Sequence, residues 1–311
     1  MKKILSIDGG GIRGIIPALV LAEIERRTNK PISACFDLFA GTSTGGILAL
    51  GLAKADAVGR PEYTAADLAE IYAERGREIF ARSLWKGFAS VGGLIDETYS
   101  DRGLETVLED YFNNTCLAKS LVKTMLTTYD LEQREPLFLK SWRAEYADVL
   151  MRHAARATAA APTYFEPAKI PVNAEQRVLV DGGIFVNNPA MSAYAEARRI
   201  FPNDPDVLVL SLGTGELIRP IHYAEAKNWG KVEWLLPLLN CMFDGMADAV
   251  DYQLNNLLEP ERYFRLQQSL TYAADDLDNA THGNVSLLQQ EAARLINKHS
   301  LDLDKICELI S

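Results

Sequence analysis

Two stretches of this chain share one pattern: residues 4–14, ILSIDGGGIRG, and residues 36–46, FDLFAGTSTGG. In each, a short apolar run meets a glycine-rich turn, and an apolar helical stretch begins at once. Ile16, Leu19, Val20 and Ile24 recur at helical spacing behind the first turn, with Glu23, Glu25 and Arg26 on the opposite side. The apolar run ILALGLA continues from the second turn as a helix. A strand that is apolar throughout must be covered on both faces, so this repeated unit implies an α/β protein built on a mostly parallel sheet. In such sheets ligands gather at the carboxyl ends of the strands, where both glycine turns stand.

The rest of the chain extends the same plan. LVKTMLTTYDL and EPLFLKSW read as neighbouring strands, RVLVD as a strand ending at Asp181, and DVLVLSL as a further buried strand before a glycine turn. Thr64 and Asp67 open a helix that runs through residue 80, and Ser100 and Asp101 cap one that runs to residue 112. The Ala-rich stretch 146–161 is expected to be helical up to Pro162, and 189–200 forms the next helix. WGKVEWLLPLLNCMFDGMADAV, after Lys227, is dense in Trp, Leu and Met. Core packing of a C-terminal helix is the first expectation there; a border to an acyl-chain cavity or a lipid surface is the other. No repeat, low-complexity tract or Pro/Ser-rich linker divides the chain, so residues 1–311 are expected to form one continuous domain. A chain of this length buries roughly three quarters of its unfolded surface.

With 48% hydrophobic and 24% charged residues the composition is that of a globular protein, and disorder is excluded. The net charge of -10, without any Lys/Arg block beyond pairs such as Arg26-Arg27, argues against nucleic acid as a partner. It also disfavours passive adsorption on anionic membranes. The apolar run after Met1-Lys2-Lys3 stops at Asp8, too early for a signal peptide, and no run reaches the roughly 18 apolar residues of a membrane span. Cys35, Cys116, Cys241 and Cys307 lack C-x-x-C spacing and are expected as reduced thiols, packed as small hydrophobes in a cytoplasmic protein.

Gly41-Thr42-Ser43-Thr44-Gly45 is G-x-S-x-G at a strand-to-helix turn. Such an elbow projects its hydroxyl out of the turn, which makes Ser43 the candidate nucleophile. A serine nucleophile needs a base and donors for the oxyanion. None of His153, His222, His282 and His299 has a distinctive setting. Asp181 is the stronger candidate, with Gly182 and Gly183 expected to leave open space around its carboxylate. A carboxyl at its ordinary pKa of about 3.9 is a weak base, and partial burial raises it.

Gly9, Gly11 and Gly14 also satisfy G-x-G-x-x-G, the dinucleotide fingerprint. That site requires an acidic residue at the end of the second strand, whereas Asp37 enters the strand and Ser43 follows it. The N–H groups of Gly9, Gly10 and Gly11 at a helix N-terminus are therefore read as an oxyanion hole, whose loss costs on the order of 10² to 10³ in rate. Arg13 either adds charge there, for the oxyanion or a lipid phosphate, or sits in a surface ion pair.

Taken with ARATAAAPTYFEP at 155–167, DGGIFVNNP at 181–189 and SLGTG at 211–215, DGGGIRG at 8–14 and GTSTGG at 41–46 resemble the patatin-like phospholipases in content and order. The resemblance covers about the first 215 residues. It implies a three-layer α/β/α fold with a mixed, mostly parallel central sheet. It also implies Ser43 as nucleophile and Asp181 as base of a dyad, with Gly9, Gly10, Gly11 and Arg13 as the oxyanion region and no metal or cofactor. Residues 216–311 match none of these blocks and are expected to be a helical C-terminal part of the same domain. The implied reaction is lipid acyl hydrolysis of the phospholipase A or lysophospholipase type, on a membrane or micellar glycerolipid.

Other readings stay open at this point. Ser43, Asp181 and His222 or His282 fit the chain order of a Ser-His-Asp triad. DGGGIRG also suits a nucleotide-binding regulatory protein, or a lipase gated by a signal. An acceptor other than water would make the enzyme a transacylase. SLGTG is expected to form a strand-end turn beside the site, and DDLDN at 275–279 lacks the glycine and distal glutamate of an EF-hand loop.

Overall fold

Alternation along the strands decides the layering. In the computed structural model, which describes residues 1–80, 101–216, 220–274 and 276–311, Ile4 faces one core while Leu5 and Ile7 face another. The first half of the chain forms β1 (Lys2–Ile7), α1 (Ile15–Thr28), α2 (Ile32–Cys35), β2 (Leu38–Gly41), α3 (Thr44–Ala53), α4 (Ala65–Ile79), α5 (Asp101–Phe112), β3 (Lys123–Asp130) and β4 (Glu135–Lys140). Next come α6 (Met151–Thr158), β5 (Ala168–Val172), β6 (Glu175–Asp181), α7 (Ala190–Ile200) and β7 (Val207–Leu212). The chain ends with α8 (Tyr223–Ala226), α9 (Lys231–Leu257), β8 (Tyr263–Leu266), α10 (His282–Lys298) and α11 (Ser300–Ile310).

These strands join one sheet in the order β5-β6-β3-β2-β1-β7-β8, with β4 also paired to β3. From β3 through β8 the neighbours are parallel; β4 and β6 run antiparallel to β3, and β5 antiparallel to β6. Leu38, Ala40, Val207 and Val209 join Ile4 on the face covered by Ala190, Ala193 and Ala197 of α7. Phe39, Leu126, Leu208 and Leu210 join Leu5 on the other, beneath α1, α3, α4 and α10. The fold is three-layer α/β/α with a mixed, mostly parallel sheet, as the resemblance implies.

The register around β3 positions the site. β4 occupies one edge of β3 over residues 125–130, so β2 and β6 share the other edge. β2 runs forward and ends with Gly41 opposite Leu126, while β6 runs backward and ends with Asp181 opposite Thr128. Two strands thus meet end to end with their carboxyl termini two positions apart along β3, and Ser43 comes two residues after Gly41.

Local chemistry sets the helix ends. At α4, Thr64 Oγ1 accepts from the Asp67 N–H at 3.2 Å and Asp67 Oδ2 accepts from the Thr64 N–H at 2.8 Å, the reciprocal pair the sequence suggests. α1 tolerates Pro17 because its first-turn N–H groups have no helical acceptor, and it ends at Asn29 in the left-handed region, φ 52°.

Several expectations are corrected. The Ala-rich helix covers only α6, because Leu117 and Ala118 N–H groups take the Val149 and Ala147 carbonyls at 2.7 and 3.4 Å and hold the preceding segment out of the helix. At its other end the Ala160 carbonyl turns to accept from the Asp181 N–H at 3.0 Å. β5 and β8 were not foreseen: β5 contains Pro171, which faces solvent, and β8 is four residues long. Residues 216–311 are therefore not helical alone, since β8 extends the sheet beside β7. Ser100, the expected cap of α5, and Asp275 of DDLDN lie outside the described residues.

Candidate active site

Ser43 occupies the elbow between β2 and α3 with φ 55° and ψ -124°, a conformation that costs a residue bearing a Cβ roughly 1–3 kcal/mol. The turn is this tight because α3 starts against β1: a Cβ on Gly45 would lie 2.2 Å from the Ile7 carbonyl oxygen. Buried threonines hold the strained turn. Ser43 N–H donates to Thr158 Oγ1 at 2.9 Å, Thr158 Oγ1 donates to the Thr127 carbonyl at 2.8 Å, and Thr127 Oγ1 donates to Thr42 Oγ1 at 2.8 Å. β3 and α6 thereby fix the serine that β2 delivers.

Asp181 is 5% exposed, its Oδ1 accepts from the Gly183 N–H at 2.7 Å, and the Ser43 side chain stands close enough to act on its carboxyl. Burial pushes its pKa up from 3.8 to about 6; the nearby Ser43 side chain and the Gly183 N–H pull the other way and limit the rise. Of the two glycines beside it, Gly183 leaves room: it lines the cavity, and a Cβ there would stand 3.1 Å from Asp181 Oδ1. A Cβ on Gly182 would meet Thr127 Oγ1 at 2.1 Å, so that glycine serves close packing against β3.

The first glycine loop divides its N–H groups. Gly9 N–H donates to the Asn187 carbonyl at 3.2 Å, which removes it from the expected oxyanion set. Gly10 and Gly11 N–H groups have no acceptor among the described residues, nor does Thr44 N–H, which the sequence reading overlooked although it directly follows the serine. Arg13 donates from Nε to the Gly10 carbonyl at 3.3 Å and from Nη1 to the Gly215 carbonyl at 3.1 Å. It therefore clamps the loop to the SLGTG turn, and it also lines the cavity described below.

Ser43, Asp181, Gly10 and Gly11 line a single cavity of about 610 Å³, a size suited to a small-molecule or acyl ligand. Ile47, Ile79, Leu104 and Phe165 make one wall apolar. Pro237, Phe243 and Ala247 of α9 also line the cavity, whereas Trp234, Leu238 and Met242 of the same helix are exposed. The described side chains of the Trp/Leu/Met-rich stretch thus mostly border the cavity or solvent, with Val250 at its end packed against a core cluster. Cys241, expected to be packed, is exposed on this helix.

No histidine lines the cavity; His299, for instance, pairs with Asp302 at 2.8 Å on the surface. Asp37 accepts from Lys2 Nζ and from the Lys3 N–H, both at 2.9 Å, where β2 begins and away from the glycine loop that a ribose carboxylate would flank. Among the described residues no group of three His, Cys, Asp or Glu side chains is placed to hold a metal ion.

The family model described as patatin-like phospholipase matches residues 5–194. Patatin-like protein 2 of Arabidopsis thaliana is 31% identical, over 98% of this chain and 85% of that protein. Probable inactive patatin-3-Kuras 1 of Solanum tuberosum is also 31% identical, over 96% of this chain and 87% of that protein. Among solved structures, VipD from Legionella pneumophila aligns with 94% of this chain and 67% of its own at a TM-score of 0.40 and 12% identity.

Proposed function

Since this chain belongs to the patatin-like phospholipase family, a family of lipid acyl hydrolases, we propose that it cleaves carboxylic esters of glycerolipids, in the manner of a phospholipase A or lysophospholipase, through Ser43 and Asp181. One relative carries "probable inactive" in its name, so membership alone does not decide activity and the residues at the site must. The observation that carries the proposal is that the Ser43 side chain stands close enough to the buried Asp181 carboxyl to lower its pKa, with both residues lining one cavity that also has an apolar wall.

In this mechanism Ser43 Oγ attacks the ester carbonyl as Asp181 takes the hydroxyl proton. The tetrahedral oxyanion accepts from the Gly10 and Gly11 N–H groups, while Gly9 and Arg13 shape the loop. Asp181 returns the proton to the departing glycerol oxygen as the carbon–oxygen bond breaks, leaving an acyl-enzyme. Water then attacks the acyl carbon and gives its proton to Asp181, and that proton passes to Ser43 Oγ as the fatty acid leaves.

Residues 1–311 act as one domain in this proposal, supported by β8 on the sheet edge and by α10 packed on α1. No helix among the described residues is long and apolar enough to cross a membrane, which fits a cytoplasmic enzyme meeting membrane or micellar lipid at its surface.

A long-chain alkyl fluorophosphonate should label Ser43 of the wild type, located by intact mass and peptide mapping, and phosphatidylcholine micelles should release fatty acid. No adduct and no release from folded protein would overturn the proposal. Because Asp181 must be ionised to accept a proton, kcat/KM should rise about tenfold per pH unit on the acid side and level off above an apparent pKa of about 6. A flat profile between about pH 4 and 8 would remove Asp181 as base.

A further inference from the structure

The SLGTG turn after β7 lies outside the matched residues 5–194, yet it touches the glycine loop at its most sensitive point. Thr214, 2% exposed, donates from Oγ1 to the Gly9 carbonyl at 2.8 Å. A trans peptide unit points its carbonyl and its N–H in opposite directions. Holding the Gly9 carbonyl therefore aims the Gly10 N–H, one of the two loop donors without an acceptor, away from Thr214. Ser43 is close by, since a Cβ on Gly9 would stand 3.3 Å from Ser43 Cβ, and Gly10 and Ser43 line the same cavity. Contact is close as well: a Cβ on Gly10 would collide with Thr214 Oγ1 at 2.2 Å, so no other side chain at position 10 would leave the threonine where it is. The turn bearing Thr214 is itself braced, with Gly215 N–H donating to Gln267 Oε1 at 2.8 Å and the Gly215 carbonyl accepting from Arg13 at 3.1 Å.

We propose that Thr214 is a positioning residue for the oxyanion: its hydroxyl orients the Gly9–Gly10 peptide so that the Gly10 N–H meets charge developing on the substrate carbonyl. The proposal rests on the hydrolase reading above. Valine keeps the shape of threonine and removes the hydroxyl, leaving the Gly9 carbonyl unpaired and the peptide free to rotate. Thr214→Val should lower kcat about 10- to 100-fold with KM little changed, part of the 10² to 10³ that a lost oxyanion donor costs. Thr214→Ser should stay within about threefold of the wild type, because its hydroxyl makes the same bond.

The decisive comparison uses two inhibitors: a long-chain trifluoromethyl ketone, which becomes an oxyanion when Ser43 adds to it, and an ether lipid, which cannot react. Thr214→Val should lose affinity for the ketone by the factor lost in kcat and bind the ether lipid as the wild type does. Equal kcat in Thr214→Val and wild type, or equal loss in the valine and serine variants, overturns the proposal. Where valine prevents folding, serine against alanine gives the same contrast; loss of fold in all three assigns the hydroxyl to stability and also overturns it. Wild type that neither turns over ester nor binds the ketone would instead remove the hydrolase reading itself.

Discussion

Ser43→Ala is expected to reduce kcat/KM by about 10⁴-fold or more in a protein that still folds. No neighbouring hydroxyl can replace it. Thr44 Oγ1 is held 2.5 Å from Tyr72 OH inside the core, and Thr42 Oγ1 donates to the Val186 carbonyl at 2.8 Å. Asp181→Asn should lose a comparable amount, since an amide accepts no proton from the serine. The two variants are to be compared by fatty acid release and by circular dichroism; retained activity in either ends the dyad assignment.

The aspartate variant carries a second expectation, in stability. Folding raises the Asp181 pKa from 3.8 to about 6, so the folded state favours the protonated form. The carboxyl's stabilising share is complete below about pH 3.8 and is lost as the pH rises through about 6. Above that, the buried charge opposes folding by on the order of 3 kcal/mol, at about 1.36 kcal/mol for each pH unit. Asp181→Asn should therefore unfold at higher urea than the wild type near pH 8, with the gap closing near pH 4. A gap that does not depend on pH would mean that Asp181 titrates alike in the folded and unfolded chain.

Arg265→Met should destabilise the fold by about 3–5 kcal/mol, read as a lowered urea midpoint. Arg265 donates to Asp8 Oδ2 at 2.6 Å and to Ser211 Oγ at 2.9 Å, joining β8 to the strand end that carries the glycine loop. Asp8 is 1% exposed, and its Oδ1 has no partner among the described residues. Removing the guanidinium strands a carboxylate whose pKa burial already pushes up. Adding Asp8→Asn to Arg265→Met removes that charge and should recover much of the loss. An unchanged midpoint in the single variant would show that water reaches and solvates Asp8.

The elbow, the base and the loop were legible because each depends on local backbone chemistry: glycine where chains cross, serine between strand and helix, aspartate at a strand end. Partnerships across the chain were not. That Gly9 N–H already serves the Asn187 carbonyl is a contact between residues 178 positions apart, which no local pattern encodes. β8 escaped because YFRL is short and its arginine, a surface residue by composition, is sheltered by Asp8. The end of α6 was misplaced because alanine favours helix at 159–161, while the chain there is drawn toward β6. Thr44 N–H was the one missed donor with a sequence signal, its position directly after the serine.

The head-on meeting of β2 and β6 along β3 turns β3 into a ruler. The gap between nucleophile and base is graduated in residues, Leu126 to Thr128, and each graduation is about 3.3 Å. Substitutions in the covering helices leave the ruler intact. A single residue inserted between positions 126 and 128 would lengthen the gap by a full mark and turn the following side chains to the opposite face. Variation within this architecture can therefore lengthen outer loops and reshape the cavity while Thr158 and Thr127 keep the serine turn, but that two-residue span of β3 does not tolerate a change in count.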